Sequence, residues 1–189
     1  MAADERVDDL LEALIDLYLA EGFLDFGIGD LAARLRCSRT SLYRLAGSKE
    51  QIIVTAVRRY FRRAEKRIED RVAAEPDIGR RLAISLSAVA EELAPASARF
   101  YADLALYAPA RAVYEENSQR AAQRINDIVT AGIGTGRLRQ VDARFVGAVL
   151  AEVMAAIQSG RIEAACGLDD AEATRALGDL VSRGLELPA

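Results

Sequence analysis

Apolar residues recur along this chain at the spacing of an α-helix, three and four positions apart. In the first segment, the residues that would share one helical face are Val7, Leu10, Leu11, Leu14, Leu17 and Tyr18. A stripe of this kind is typical of an amphipathic helix with one buried side. No segment alternates apolar and polar residues in the way that a half-buried strand does. The sequence therefore predicts an all-α fold.

Prolines, glycines and capping residues divide the rest of the chain into further helices. Pro76 and Pro95 mark two of the breaks, because proline disrupts the interior of a helix. Asp142 is placed to cap one helix, and Asp169 with Glu172 forms a capping box that opens the last one. The helices predicted after residue 47 cover residues 48–74, 78–93, 97–107, 110–133, 142–165 and 171–184.

Residues 28–50 form the most informative pattern in the chain, two short helices joined by a tight turn. The apolar face of the first helix consists of Leu31, Ala32 and Leu35. Ser38 is placed to cap the second helix, which is predicted over residues 39–46 and ended by Gly47 in a left-handed conformation. A helix-turn-helix of this kind places its second helix in the major groove of DNA.

Four elements of this stretch occur in a characteristic order, namely Asp30-Leu31-Ala32, Ser38, Leu42-Tyr43 and Gly47-Ser48-Lys49-Glu50. In that order they resemble the DNA-binding region of the TetR family of bacterial transcriptional regulators. The resemblance implies a three-helix DNA-binding domain over residues 1–47. A long helix would join it to a helical effector-binding and dimerisation domain, the two together covering residues 48–189. It also implies a repressor that leaves a palindromic operator when a small-molecule effector binds.

The second helix of the motif carries the candidates for DNA contact. Arg39, Thr40 and Arg44 can reach base edges or the flanking backbone, since Arg pairs with guanine and Thr offers a hydroxyl or a methyl group. Ser38 and Ser41 can donate their hydroxyls to phosphate oxygens.

The resemblance implies that Tyr43 and Lys49 also contact phosphates. The alternatives are a Tyr43 ring packed on the three-helix core and a solvated Lys49 in the first turn of its helix. The residues that depart from the pattern of the family are Gly27, Arg36, Leu45 and Ala46. At three of these positions, all but Arg36, this sequence lacks a polar or packing group that the family often has there. They leave open a degenerate helix-turn-helix protein that acts through protein–protein contacts without specific DNA binding.

The net charge of −4 argues against nucleic acid until its distribution is considered. Residues 1–27 hold one Arg against eight acidic residues, whereas residues 28–71 hold twelve Lys and Arg against five acidic residues. The basic block coincides with the helix-turn-helix and the helix after it, as a phosphate-facing surface requires. The later arginines of that helix lead away from the motif, and we interpret them as a solvated face.

The resemblance further implies an effector pocket in the C-terminal domain. The densest aromatic group of that domain, with its neighbouring leucine, consists of Phe100, Tyr101, Leu104, Tyr107 and Tyr114. Aromatic walls with a few hydroxyls suit an apolar or aromatic small molecule. Residues of these types at helical spacing are also typical of an ordinary core.

The helix predicted over residues 142–165 is apolar around most of its circumference. A helix of this kind is either central to a large core or shared with a partner chain, and in a chain this small we favour the partner. The resemblance implies that this helix and the one over residues 171–184 form a four-helix interface in a homodimer. A homodimer also suits the DNA interpretation, since paired recognition helices read paired half-sites.

Other classes of protein are disfavoured by what the sequence lacks. Its 189 residues include no His, no nucleophile elbow and no P-loop, so we expect no enzyme. Cys37 and Cys166 form no metal-ligand spacing, and we expect neither a cofactor nor a metal. No apolar run has the length of a membrane span, and the acidic N-terminus is unlike a signal peptide. These features predict a cytoplasmic protein.

Overall fold

The structure, a computed structural model, describes residues 2–187, without the side chains of residues 2–5 and 171. Residue 1 of the predicted DNA-binding domain and residues 188–189 of the predicted effector domain therefore lie outside it. Ten helices and no strand occur within residues 2–187, and the all-α prediction is confirmed. The helices are α1 (Ala2–Glu21), α2 (Ile28–Arg34), α3 (Arg39–Tyr43), α4 (Lys49–Ala73), α5 (Ile78–Leu93), α6 (Ala98–Leu106), α7 (Ala108–Gly134), α8 (Ala143–Gln158), α9 (Arg161–Cys166) and α10 (Asp170–Leu185). None of them, across the described part of the chain, combines the length and the apolar character needed to cross a bilayer.

The helices form two compact units. Unit 1 consists of Met1–Arg62 and Pro95–Glu115, and unit 2 consists of Arg63–Ala94 and Glu116–Ala189. Unit 1 thus contains α6 and the first turns of α7 in addition to the helices of the predicted DNA-binding domain. The division of function at residue 47 concerns contact with DNA, not packing, and stays a prediction.

Unit 1 is built around fully buried aliphatic and aromatic side chains. The helix-turn-helix contributes Leu31 and Leu42, which are both 0% exposed, and α1 contributes Leu14, also 0% exposed. Phe23, in the loop after α1, is equally buried. Burying a side chain of this size stabilises a fold by roughly 1.5–3 kcal/mol, so these four residues fix α1, α2 and α3 on one core.

Unit 2 has its own core, to which α5, α7, α8 and α10 contribute. Its buried side chains include Leu82, Val129, Leu150 and Leu177. Gly147 allows α8 to approach α7 closely, because a Cβ atom there would lie 3.0 Å from the carbonyl oxygen of Ala122. A Cβ atom on Gly178 of α10 would be in ordinary van der Waals contact with Leu86 Cβ, at 3.7 Å.

Most of the predicted helix starts are confirmed, because their caps are local in sequence. Asp142 accepts hydrogen bonds from the N–H groups of Arg144 and Phe145 at the start of α8. The capping box of Asp169 and Glu172 is present in both directions at the start of α10. The helix predicted over residues 78–93 has the bounds of α5.

Two predicted helices are wrong in extent. The helix predicted over residues 142–165 ends at Gln158, because Gly160 takes a left-handed conformation with φ +71° and α9 begins after it. The helix predicted over residues 39–46 ends at Tyr43. Gly47 is not left-handed, and the left-handed residue of the helix-turn-helix is Arg36, with φ +50°.

Candidate nucleic-acid interface

The turn between α2 and α3 is closed by two backbone hydrogen bonds. Arg36 N–H donates to Ala33 O at 3.3 Å, and Cys37 N–H donates to Ala32 O at 3.0 Å. Together with the positive φ of Arg36, these bonds form a Schellman motif at the end of α2. The motif turns the chain sharply, so α3 starts four residues after the C-cap residue of α2, Leu35.

The start of α3 is capped as the sequence predicts. Ser38 Oγ accepts the backbone N–H of Ser41 at 3.0 Å, and the two serine hydroxyls lie 2.9 Å apart. Both hydroxyls are therefore engaged with each other while they remain near the surface. This cap orients a helix of only five residues, which could not hold its direction without the buried contact of Leu42 beneath it.

The predicted base-reading side chains, on α3 and on its C-cap residue Arg44, point outward. Arg39, Thr40 and Arg44 are exposed, and Tyr43 is 48% exposed, so its ring is not packed in the three-helix core. The guanidinium of Arg39 lies over the start of α2, where a Cβ atom on Gly29 would be 3.0 Å from Arg39 Nη2. The structure thus brings the predicted base-reading residues onto one exposed surface.

Lys49 lies at the start of α4 and is half-buried. Its Nζ donates to Leu24 O at 3.3 Å, which gives the side chain a role within unit 1. An ammonium group has three donors, so this bond leaves two for other partners. Next to it, hydrogen bonds from its own backbone N–H and from Ser48 lower the pKa of Glu50.

Charges on neighbouring helices are mostly paired. Arg34 pairs with Glu21 and lies 5.9 Å from the centre of the Phe26 ring. Arg59, on α4, donates to Glu12 at 3.2 Å. The later cations of α4 also form ion pairs: Lys66 with Asp70, Arg67 with Glu92 and Arg71 with Glu91. This pairing agrees with our interpretation of the later α4 arginines as a solvated face. It contrasts with α3, where the structure describes no ion pair for Arg39 or Arg44.

The predicted ligand-lining residues lie together in unit 1. Phe100 is buried and contacts the rings of Phe23, Tyr60 and Tyr101, with centroids 5.7–6.0 Å apart. The ring centroid of Tyr114 lies 6.5 Å from that of Tyr101. Leu104 is 2% exposed, and the ring centroid of Tyr107 lies 6.2 Å from that of Phe23. The group therefore forms an aromatic core shared by α4, α6, α7 and the loop after α1. Its role in binding a ligand stays a prediction.

The sequence analysis missed Asp103, a polar residue at the centre of this unit. Its carboxylate is 1% exposed and accepts two backbone hydrogen bonds from the loop after α1. The signal available in the sequence is a single charge inside the apolar run of residues 100–106, where a fully buried carboxylate requires polar partners.

The helices predicted to form a dimer interface expose large apolar side chains. On α8, Phe145 is 68% exposed and Val149 is 37% exposed. On α10, Leu180 is 72% exposed.

No protein-family model matches this sequence, and no curated protein is significantly similar to it. Solved structures do match it. A protein of Saccharomonospora viridis in complex with choline is 19% identical with a TM-score of 0.80, over 98% of this chain and 100% of that chain. A TetR-family transcriptional regulator of Agrobacterium tumefaciens is 16% identical with a TM-score of 0.77, again over 98% and 100%.

A TetR transcription regulator of Haloarcula marismortui is 14% identical with a TM-score of 0.79, over 97% of this chain and 100% of that chain. The matches span both units rather than the helix-turn-helix alone. At these identities they establish the fold and not the individual site residues. The chain therefore has the fold of the TetR family of transcriptional regulators.

Proposed function

We propose that this protein is a homodimeric, sequence-specific DNA-binding regulator of transcription. It acts as a repressor that a small-molecule effector releases from a palindromic operator. Residues 1–47 form the DNA-binding domain, to which Lys49 adds a contact from the start of α4, and residues 48–189 form the domain for effector binding and dimerisation. The observation that carries the proposal is the surface of α3. There Arg39, Thr40 and Arg44 are exposed on a helix fixed from below by Leu42 and capped by Ser38.

The DNA contacts divide by chemistry. The two arginines and the threonine face base edges in the major groove, where Arg can bind guanine through two hydrogen bonds. Ser38, Ser41, Tyr43 and Lys49 bind the sugar–phosphate backbone, which fixes the position of α3 without reading sequence. The exposure of Tyr43 supports its part in this set, because a phenol at a dry core position would be buried.

The exposed apolar residues of α8 and α10 support a dimer through these helices. Phe145, Val149 and Leu180 give these two helices three exposed large apolar side chains, and a group of such residues marks an interaction surface whereas a single one does not. We expect the double variant Phe145→Asp/Leu180→Asp to sediment as a monomer in analytical ultracentrifugation. Leu106→Asp, which alters an equally exposed leucine on α6, serves as the control and should stay dimeric. The interface would be contradicted if Phe145→Asp/Leu180→Asp stayed dimeric, or if the control Leu106→Asp also became monomeric.

The effector proposal rests on the aromatic core of unit 1. The Tyr18 hydroxyl in that core is buried, and no hydrogen-bond partner for it occurs among the described residues. A buried polar group of this kind usually has a partner, and a ligand can supply it. The S. viridis structure contains choline, and aromatic rings attract a quaternary ammonium by cation–π interaction. A thermal-shift screen of choline beside apolar aromatic compounds tests both classes, since a ligand specific for the folded state raises Tm.

Selection of random-sequence duplex DNA on the purified protein tests the central proposal. We expect the native protein to enrich a palindrome and the double variant Arg39→Ala/Arg44→Ala to lose it. The matched control is Arg58→Ala/Arg62→Ala, which removes two exposed arginines from α4 and keeps the surface of α3 intact. Control and native protein should enrich the same sequence.

The salt dependence of binding separates this proposal from its rival. Contact with DNA weakens with a log–log slope of about −0.9 for each phosphate contact. A degenerate helix-turn-helix protein acting through protein contacts would enrich no sequence even at low salt. The departures at Gly27, Leu45 and Ala46 would then account for the loss.

A further inference from the structure

Asp103, on α6, is a charged residue at a position where charge is costly. It is 1% exposed, and a carboxylate is rarely buried unless polar groups satisfy it. Its Oδ2 accepts the N–H groups of Phe23 at 2.6 Å and Leu24 at 2.9 Å. Arg99 Nε lies 3.2 Å from its Oδ1, near enough for an ion pair although the N–H does not point at that oxygen. One side chain of α6 thus satisfies two backbone donors about 80 residues earlier in the chain.

The segment that donates these bonds, residues 22–25, is the first part of the connection between α1 and α2. It leaves α1 through Gly22, which has a left-handed φ of +78°. A Cβ atom on Gly22 would lie 2.6 Å from Asp103 Oδ2 and 2.7 Å from Arg99 Cγ. The close approach of α6 to this loop therefore requires the absence of a side chain as well as the left-handed conformation.

The same loop is also held by other groups of unit 1. Lys49, at the start of α4, donates to Leu24 O at 3.3 Å. Arg99 Nη2 donates a hydrogen bond to Asp25 Oδ2 at 2.6 Å. Phe23 inserts its ring beside Tyr107, the C-cap residue of α6. Residues 22–25 are therefore fixed between α6 and the first residue of α4, directly before the helix-turn-helix begins.

We propose that Asp103 is a positioning residue for DNA binding, which it controls by holding residues 22–25 in place. Because α2 starts three residues after this loop, the loop sets where α2 and α3 lie on α1. A shift of α6 that withdrew the carboxylate would leave two N–H donors without partners in a buried site, which is strongly unfavourable. The position of α6 and the position of α3 are thereby linked through a single side chain. This inference rests on the proposed function, since it assigns a role in binding DNA.

The test uses Asp103→Asn in the full chain and the duplex that the native protein enriches. Asn keeps the shape of the side chain but removes its charge and one acceptor oxygen. We expect Kd to rise about tenfold, as expected for weakened charge-assisted hydrogen bonds. The salt slope should not change, because no phosphate contact is removed. Amide hydrogen exchange at Phe23 and Leu24 should accelerate. Asp16→Asn makes the same charge change at an exposed site on α1 and should leave all three readouts at native values.

The outcomes separate the positioning role from the proposed function. If the native protein enriches no duplex, the proposed function fails and this inference fails with it. If Asp103→Asn binds the duplex with native affinity, the positioning role is refuted while the proposed function stands. If Asp103→Asn does not fold, Arg99→Gln decides, since that side chain is 50% exposed and its loss should spare the fold. For Arg99→Gln, an increase in Kd of less than tenfold together with faster amide exchange at Phe23 and Leu24 supports the positioning role. Native Kd and native exchange rates in this variant refute it.

Discussion

Arg36 offers a direct test of the geometry of the helix-turn-helix. It occupies the position after the C-cap of α2, where its φ of +50° lies in the left-handed region. Glycine is the usual residue at this position, because a Cβ atom crowds the following carbonyl oxygen. The two hydrogen bonds of the Schellman motif use only backbone atoms, so Arg36→Gly retains both of them. The structure describes no ion pair for the Arg36 side chain, and none is lost.

The magnitude follows from two opposing terms. Relief of the left-handed strain contributes about 1–2 kcal/mol. The greater freedom of glycine in the unfolded chain costs about 0.5–1 kcal/mol. The difference predicts that Arg36→Gly stabilises unit 1 by roughly 0.5–1 kcal/mol. Ala33→Gly, three residues earlier and exposed within α2, is the matched control and should destabilise it by about 1 kcal/mol.

The chain supplies its own probe for this measurement. It has no Trp, and all six of its tyrosines lie within Met1–Arg62 and Pro95–Glu115, so tyrosine emission reports on unit 1 alone. Urea unfolding followed by this emission should shift the midpoint upward for Arg36→Gly and downward for Ala33→Gly. A downward shift for Arg36→Gly would refute the reasoning. It would show that the arginine side chain stabilises the turn by more than its backbone strain costs.

Three further predictions follow from individual residues. Phe23→Ala should destabilise unit 1 by about 3–5 kcal/mol in the same urea assay, because Phe23 is 0% exposed and contacts three rings. A loss of unfolding free energy smaller than that caused by Phe26→Ala, at a half-buried position, would contradict this prediction. Gly160→Ala should lower the midpoint of far-UV circular dichroism and spare the tyrosine transition, since a φ of +71° disfavours alanine by about 1 kcal/mol although the space around it is open. Finally, iodoacetamide should alkylate the exposed Cys166 before Cys37 at pH 8, as followed by mass spectrometry. Burial raises the pKa of the Cys37 thiol, so at pH 8 a smaller fraction of it is thiolate than for a thiol with the ordinary pKa.

The elements that sequence analysis predicted are those decided by neighbours in the chain. Ser38, Asp142 and Asp169 each cap a helix through backbone groups two or three residues away, so the sequence contains both partners of every bond. The helix predicted over residues 142–165 was too long because the apolar spacing continues through Ile157 and Ile162. That periodicity hides the left-handed conformation of Gly160 between them.

The contacts of residues 98–114 could not be predicted in the same way. The spacing of Phe100, Leu104 and Tyr107 indicates an apolar helix face but does not specify what covers it. The structure shows that the cover comes from Phe23 and Tyr60, at least 40 positions away in the sequence. Asp103 was missed for the same reason, since its partners are the backbone N–H groups of Phe23 and Leu24, about 80 positions away, and the side chains of these two residues give no sign of such bonds.

This packing bears on how an effector would act. The helices proposed to contact DNA and the aromatic segment of residues 98–114 belong to one unit with one core. If that segment lines the effector site, as proposed, a ligand that moves α6 acts on the core in which Phe23 is buried. The change then reaches the α1–α2 loop through the Asp103 carboxylate and ring contacts of about 6 Å. A coupling of this kind requires two discrete arrangements of α6 with different affinities for ligand.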